Sequence, residues 1–394
     1  MKINKWTAGL AAVGLVSLAS VTQAEEQSVP LMTALSSTII SGYVDTSAVW
    51  NPGTGNANPA PVSFNAGKQD GFNLNVVNLT LEKPIDETQW SAGYKVELLF
   101  GPDAVGYNPS ANARTSSNAV DENGDPAVVT SNSDFSIKQA YVAVRAPVGN
   151  GLDLKMGVFD TPIGYESFVG YRNPNYTRSY GYTLEPTQHT GILASYQFCE
   201  ILSASAGVAN TLSAGINTRS PRAESAKTYM GSITITAPES AGVLAGSALY
   251  AGIVDGFAGG SNEDQTSVYV GATIATPVAG LRLGASYDQA FHLGGKENAG
   301  YADAVAAYVS FQATEKMSIH LRGEYAKGNL LSAPGGEKIV AVTGTLQYDL
   351  WQNVISRLEV RWDHSASGTE IFGGTSDPTK KNEVMVAANL VYRF

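Results

Sequence analysis

Residues 382–394 read NEVMVAANLVYRF. Side chains of an extended strand alternate between two faces. Val384, Val386, Ala388, Leu390, Tyr392 and Phe394 therefore share one face, and Met385, Ala387, Asn389, Val391 and Arg393 share the other. The first face is wholly apolar and ends in two aromatic rings; the second is mixed. Chain ends in water are usually polar and frayed. An apolar face finished by Tyr and Phe suits a lipid boundary, where aromatic rings sit at headgroup depth.

The same alternation recurs upstream. Val354, Leu358, Val360 and Trp362 oppose Arg357, Glu359, Arg361 and Asp363. Ile319, Leu321 and Tyr325 oppose His320, Arg322 and Glu324, and Leu281, Leu283, Ala285 and Tyr287 oppose Arg282, Gly284 and Ser286. Trp90, Ala92, Tyr94, Val96, Leu98 and Phe100 oppose Ser91, Gly93, Lys95 and Glu97. A Lys or Arg facing mid-bilayer lipid costs about 2–4 kcal/mol. If the apolar faces meet lipid, the charged ones point inward, and an interior that charged is wet.

Turn residues divide the chain into alternating segments, read as strands at 38–50, 71–84, 88–101, 134–147, 151–159, 188–198, 201–210 and 225–237, then at 242–253, 266–276, 280–289, 302–312, 315–326, 337–350, 353–364 and 382–394. The count is even, and a helical period is not evident. Short connections (IDE, VGN, CE, PESA, PVA, AT and WQ) alternate with long ones, among them 51–70, 102–133, 160–187 and 365–381. Tight turns at one rim and long loops at the other is the plan of a transmembrane antiparallel barrel of the bacterial outer membrane. Hydrocarbon leaves unpaired backbone groups unsatisfied, so such a sheet must close on itself. Sixteen strands are wide enough to enclose an aqueous channel. The expected fold is thus all-β, a closed barrel with short periplasmic turns and long extracellular loops.

Met1 to Ala24 has the form of a secretory signal: Lys2 and Lys5, an apolar run from Trp6 to Ala19, and small residues before Glu25. Residues 25–37 are then a short periplasmic segment and 38–394 the barrel. Loss of the signal takes the formal charge from −10 to −12. An exported acidic chain argues against nucleic acid as a partner.

Residues with chemistry elsewhere carry weak signals. Cys199 sits in a turn, with no histidine in a recognisable motif beside it. DENGD at 121–125 spaces oxygens like a calcium loop, but Pro126 stands where the glycine belongs and Asn132 where the bidentate Glu belongs. His320 and Glu324 share a strand face roughly 13 Å apart, too far for one metal. Asn78–Thr80 matches a glycosylation acceptor but lies in a strand. His292 and His364 are the only conceivable rim bases for a hydrolase, and neither has an evident partner. No catalytic, cofactor or metal site is expected.

Several segments together resemble one family: SGYVDTS (41–47), NVVNLTLEKPIDE (75–87), WSAGYKVELLFGPDA (90–104), IKQAYVAVRAPVGNGLDLKMGVFDTPIGYE (137–166), NPNYTRSYGY (173–182) and TQHTGILASYQF (187–198). They are similar to the beta-barrel porin-2 (OmpL-like) family, from about Ser41 to Phe394. The resemblance implies a bacterial outer-membrane channel and brings no binding residues with it.

The third long loop, DTPIGYESFVGYRNPNYTRSYGYTLEPT (160–187), is the candidate constriction. It mixes Asp160, Glu166 and Glu185 with Arg172 and Arg178 among five tyrosines. Folded inward, it would face a charged wall that includes Lys95, Glu97, Arg145, Arg282, Arg322, Glu324, Arg357, Glu359 and Arg361, and would impose a local field on solutes. Many wall charges would also neutralise one another across the sheet. The expected function is a porin: passive diffusion of small hydrophilic solutes and ions, with outer-membrane lipid as surroundings and a homo-oligomer, such as a trimer, as the assembly. The alternatives are a channel selective for sugars or small anions, and a non-transporting barrel acting as adhesin or receptor.

Overall fold

The computed structural model describes residues 37–53, 58–61, 70–87, 90–107, 134–212, 214–218, 226–257, 264–293, 300–330, 337–374 and 377–394. The expected signal, nearly all of the expected periplasmic segment and the DENGD stretch lie outside the described residues.

Sixteen strands form one closed antiparallel sheet. They are β1 Ile39–Trp50, β2 Gly71–Lys83, β3 Ala92–Phe100, β4 Phe135–Ala146, β5 Leu152–Asp160, β6 Gln188–Gln197, β7 Leu202–Ala209 and β8 Thr228–Thr236, followed by β9 Ala248–Phe257, β10 Asp264–Ala275, β11 Leu281–Leu293, β12 Gly300–Gln312, β13 Met317–Gly328, β14 Glu337–Trp351, β15 Val354–Ser365 and β16 Asn382–Arg393. Each pairs with its sequence neighbours, and β1 pairs with β16.

The seam explains the chain's last residue. Gly42 N–H donates to the Phe394 carbonyl at 2.9 Å and Phe394 N–H donates to the Gly42 carbonyl at 3.0 Å, so the terminal residue completes the closure. A side chain at position 42 would run into the Asn78 carbonyl and the Phe394 ring, which makes glycine the residue that fits. Leu390, Tyr392 and Phe394 face outward, and Met385, Ala387, Asn389 and Val391 are buried inside. On β15 the alternation is nearly absolute: Leu358 and Val360 are 60% and 54% exposed, while Arg357 and Arg361 are 2% and 0%. No helix among the described residues is long and apolar enough to cross a membrane; the crossing elements are strands.

Three details depart from the sequence reading. First, β9 to β13 run further towards the loop rim than expected, leaving only 258–263, 294–299 and 329–336 as connections, so the long loops gather at β1–β8 and β15–β16. The strands continue through outward polar residues at this rim, as where Thr266 Oγ1 donates to Asp255 at 2.5 Å and Lys327 pairs with Asp303 at 3.5 Å. Above the lipid such residues cost little. Second, β9 begins at Ala248 rather than Gly242. A 3-10 turn at Glu239–Leu244, with Gly242 and Gly246 at positive φ, lengthens the connection expected to be PESA. Third, bulges interrupt the alternation. Asp45 pairs with Val76 and Thr46 with Leu74, leaving Asn75 as an extra residue. Glu97 pairs with Gln139 and Leu98 with Ile137, leaving Lys138 extra. Both extra side chains are buried inside.

Candidate functional site: the inward loop

The loop 161–187 joins β5 to β6 and lies inside the barrel. Thr161 N–H donates to the Thr187 carbonyl at 3.1 Å, closing its base. Asn173 then ties off an inner ring: Ser167 N–H donates to its Oδ1 at 2.8 Å and its Nδ2 donates to the Ser167 carbonyl at 2.6 Å. A 3-10 turn, Gly170–Arg172, and a short helix, α1 Tyr180–Leu184, complete the loop. Ser179 caps α1 by accepting from Tyr182 N–H at 3.1 Å. Gly164, at φ 118°, lies against the Glu185 carboxyl, where neither the backbone angle nor the space admits a side chain.

The wall of β13 and β15 grips this loop through its charges. Glu359 accepts Tyr176 N–H at 2.6 Å and Thr177 N–H at 2.8 Å, while the hydroxyls of Thr177 and Thr345 donate to it at 2.6 Å each. Arg322 donates to Glu166 at 2.9 Å, to the Thr177 carbonyl at 2.8 Å, to Glu324 at 2.7 Å and to the Arg178 carbonyl at 3.0 Å. Glu324 accepts Tyr180 N–H at 2.7 Å. Arg361 donates to the Arg178 carbonyl at 2.6 Å and pairs with Asp363, which also accepts the Tyr180 hydroxyl at 2.8 Å. Arg357 donates to the carbonyls of Gly170, Tyr171 and Asn173 at 3.0, 2.8 and 2.9 Å. Backbone groups that a strand or helix would have satisfied are here satisfied by ionised side chains, and charge-assisted bonds are the stronger kind.

Apolar contacts follow the same seam. Ala290, Ala302, Ala304, Ala326 and Ala341 are buried around Tyr180 and Leu184, their small side chains leaving room for α1. Phe168 packs with Tyr43, Ile355 and Val391, and Tyr176 with Val49, Met385 and Ala387. The mixed inner face of β16 is therefore the floor on which the loop rests. The loop also packs on the other side, Phe168 with Val76 and Leu99, and Ile163 and Tyr165 with Phe159, Leu193 and Tyr250.

The expected constriction residues separate into two sets. Arg172, Asp160 and Glu185 line a cavity of about 1080 Å³ that is bordered by the loop and by residues of most strands, His320, Gln347 and Ile355 on β13 to β15 included. Asp160 pairs with Lys138. The Glu185 carboxyl is pushed well above its ordinary value of 4.5 by burial, and then by the nearby Asp288 carboxyl. Glu166 borders the cavity but is buried, accepting Ser179 N–H at 2.8 Å and the Tyr308 hydroxyl at 3.1 Å as well as Arg322. Arg178 points into the loop itself, donating to the carbonyls of Tyr176 and Phe168 at 3.0 and 2.8 Å.

The expected wall residues separate likewise. Lys95, Glu97 and Arg282 line the cavity. Arg322, Glu324, Arg357, Glu359 and Arg361 face inward but are covered by the loop. Arg145 is held bidentately by Asp153 at 2.6 and 2.7 Å. Four cavity-lining cations, Lys138, Lys155, Lys316 and Arg393, were not among the expected wall residues. Alternation from Asp153 could have found Lys155; the bulge concealed Lys138. Of the residues with weak sequence signals, Cys199 is exposed, Asn78 is buried and donates to Glu97 at 2.9 Å, His320 meets Ser310 at 2.9 Å and His364 meets Asn382 at 2.9 Å.

A closed sixteen-strand barrel, lipid-compatible outside and narrowed by an inward loop, defines the class of outer-membrane channels. The chain belongs to the family described as "Putative beta-barrel porin-2, OmpL-like", whose model matches residues 37–394. It is an outer-membrane barrel that serves passive diffusion, and its turn rim is periplasmic. No curated protein sequence matches it. Among solved structures it resembles the anion-selective porin from Comamonas acidovorans at 14% identity, covering 91% of this chain and 99% of that one, with a TM-score of 0.60. It also resembles the outer membrane channel DcaP of Acinetobacter baumannii at 12% identity, 91% and 97% coverage and a TM-score of 0.54. Pseudomonas putida OprB gives 12% identity, 90% and 93% coverage and a TM-score of 0.54. At such identities these likenesses speak to fold alone.

Proposed function

We propose that small hydrophilic solutes and ions cross the outer membrane through the barrel, past the 161–187 loop, without a catalytic step. The observation that carries this reading is the cavity: its lining runs from Glu315, Lys316 and Gln352 at the turn rim to Arg172 and Asn173 on the loop. Asp160, Arg172 and Glu185 form the loop side of the constriction, and Lys95 and Glu97 the wall side. Glu166 and Arg178 position the loop. The charged wall of β13 and β15 holds the loop against itself. The protein is exported by its first 24 residues, with 25–37 as a periplasmic lead-in, and works in lipid as a homo-oligomer.

Planar-bilayer recording tests the reading. Purified protein should insert in discrete current steps that stay constant when millimolar neutral sugar is added. A silent bilayer would contradict a channel, and sugar block would favour a dedicated binding track.

A further inference from the structure

We propose that the channel prefers small anions, and that Lys155 on β5 and Arg172 on the loop are the groups that recognise them. The inference rests on the channel reading above. It starts from which cavity-lining charges are already neutralised. Lys138 is paired with Asp160. Glu97 takes Lys95 at 3.6 Å and the amides of Asn78 and Gln139 at 2.9 and 2.8 Å. Glu166 is satisfied by Arg322. Glu185 is buried beside a second carboxyl, that of Asp288, and both the burial and that neighbour favour its neutral form.

Lys155 and Arg172 are treated differently. Among the described residues neither has a carboxylate partner; each stands on the face of a tyrosine ring. Lys155 Nζ lies 4.9 Å from the centre of Tyr141, and the Arg172 guanidinium 5.9 Å from that of Tyr171. A ring face steadies a cation without cancelling its charge. All four residues line the cavity. Of the remaining acids of the lining, Glu82 sits across from Lys95 on the neighbouring strand, and Glu315 and Asp349 lie at the turn rim beside Lys316. A solute passing that mixed rim meets a stretch whose uncompensated charges are positive. In a low-dielectric bore such charges raise the local concentration of anions.

The test is the reversal potential in a tenfold potassium chloride gradient across a planar bilayer. The wild-type chloride-to-potassium permeability ratio should exceed 1. Lys155→Glu with Arg172→Glu should carry it below 1, and Lys155→Arg with Arg172→Lys should keep it above 1. A wild-type ratio at or below 1, or a double-Glu variant that conducts with the wild-type ratio, overturns the proposal. Absence of any current steps from wild-type protein overturns the channel reading itself, and this proposal with it.

Discussion

The two halves of the barrel interior use charge in opposite ways. On β13 and β15, Arg322, Glu324, Arg357, Glu359 and Arg361 are buried and spend their hydrogen bonds on the backbone of one loop. On β3 to β5, Lys95, Lys138 and Lys155 border a cavity. Both sets are inward-pointing charges on alternating strands, and composition does not tell them apart. The difference is the loop, which takes the charges of the first set as hydrogen-bond partners and leaves those of the second bordering the cavity. A charged inner face is thus compatible with either a wet bore or a clamp.

Substitutions in the clamp should act on stability and current noise, and those on the open wall on selectivity. The largest effect belongs to Arg322→Ala, which leaves Glu166 buried without its cation and Glu324 with Arg361 alone at 3.5 Å. Removing one partner of a buried pair costs about 3–5 kcal/mol. Thermal unfolding in detergent should show a lowered midpoint, and single channels should flicker as the loop loosens. On the lipid side of the same wall, Val360→Arg places a charge beside Arg361 but on the opposite face. It should cost about 2–4 kcal/mol if that face lies near the bilayer midplane, read as loss of folded protein in bilayers with the channel's selectivity unchanged in the fraction that folds. Glu359→Gln keeps the shape while weakening acceptors for two backbone N–H groups, a cost of about 1–3 kcal/mol. Denaturant unfolding measures it.

The smallest effect is a pH dependence at Glu185. Its folded-state pKa is raised above 4.5 by burial and by Asp288. A carboxyl raised on folding favours the protonated form. It imposes no penalty below its unfolded pKa, and an increasing one as pH climbs from there towards the folded value. Glu185→Gln should therefore match wild type at pH 4 and melt at a higher temperature by pH 8. A difference between the two that stays constant with pH would contradict this.

The barrel was readable because a period of two survives in every strand, and lipid enforces it. Leu358, Val360 and Trp362 against Arg357, Glu359 and Arg361 is the plainest case. The limits have physical causes. Strand tops at β9 to β13 extend past outward polar residues such as Asp255, because the lipid has ended there. The bulges at Asn75 and Lys138 shift the alternation by one residue, and turn residues do not mark them. The loop's seat was less legible still. Its charged composition suggested an inward position, but its partners lie far along the chain, Tyr176 and Glu359 being 183 residues apart. Complementarity of that kind follows no local period. Buried alanines on β11 to β14 were a usable hint, since inward-facing small residues on several adjacent strands leave room for something to be seated against them.

Single-channel conductance of wild-type protein beside a variant in which residues 165–184 are replaced by a short Gly-Ser linker is the most direct test of the whole arrangement. With strand content by circular dichroism preserved, the shortened loop should give clearly larger current steps and little ion preference. Steps of wild-type size from an intact shortened barrel would show that the narrowest part of the path lies somewhere other than at this loop.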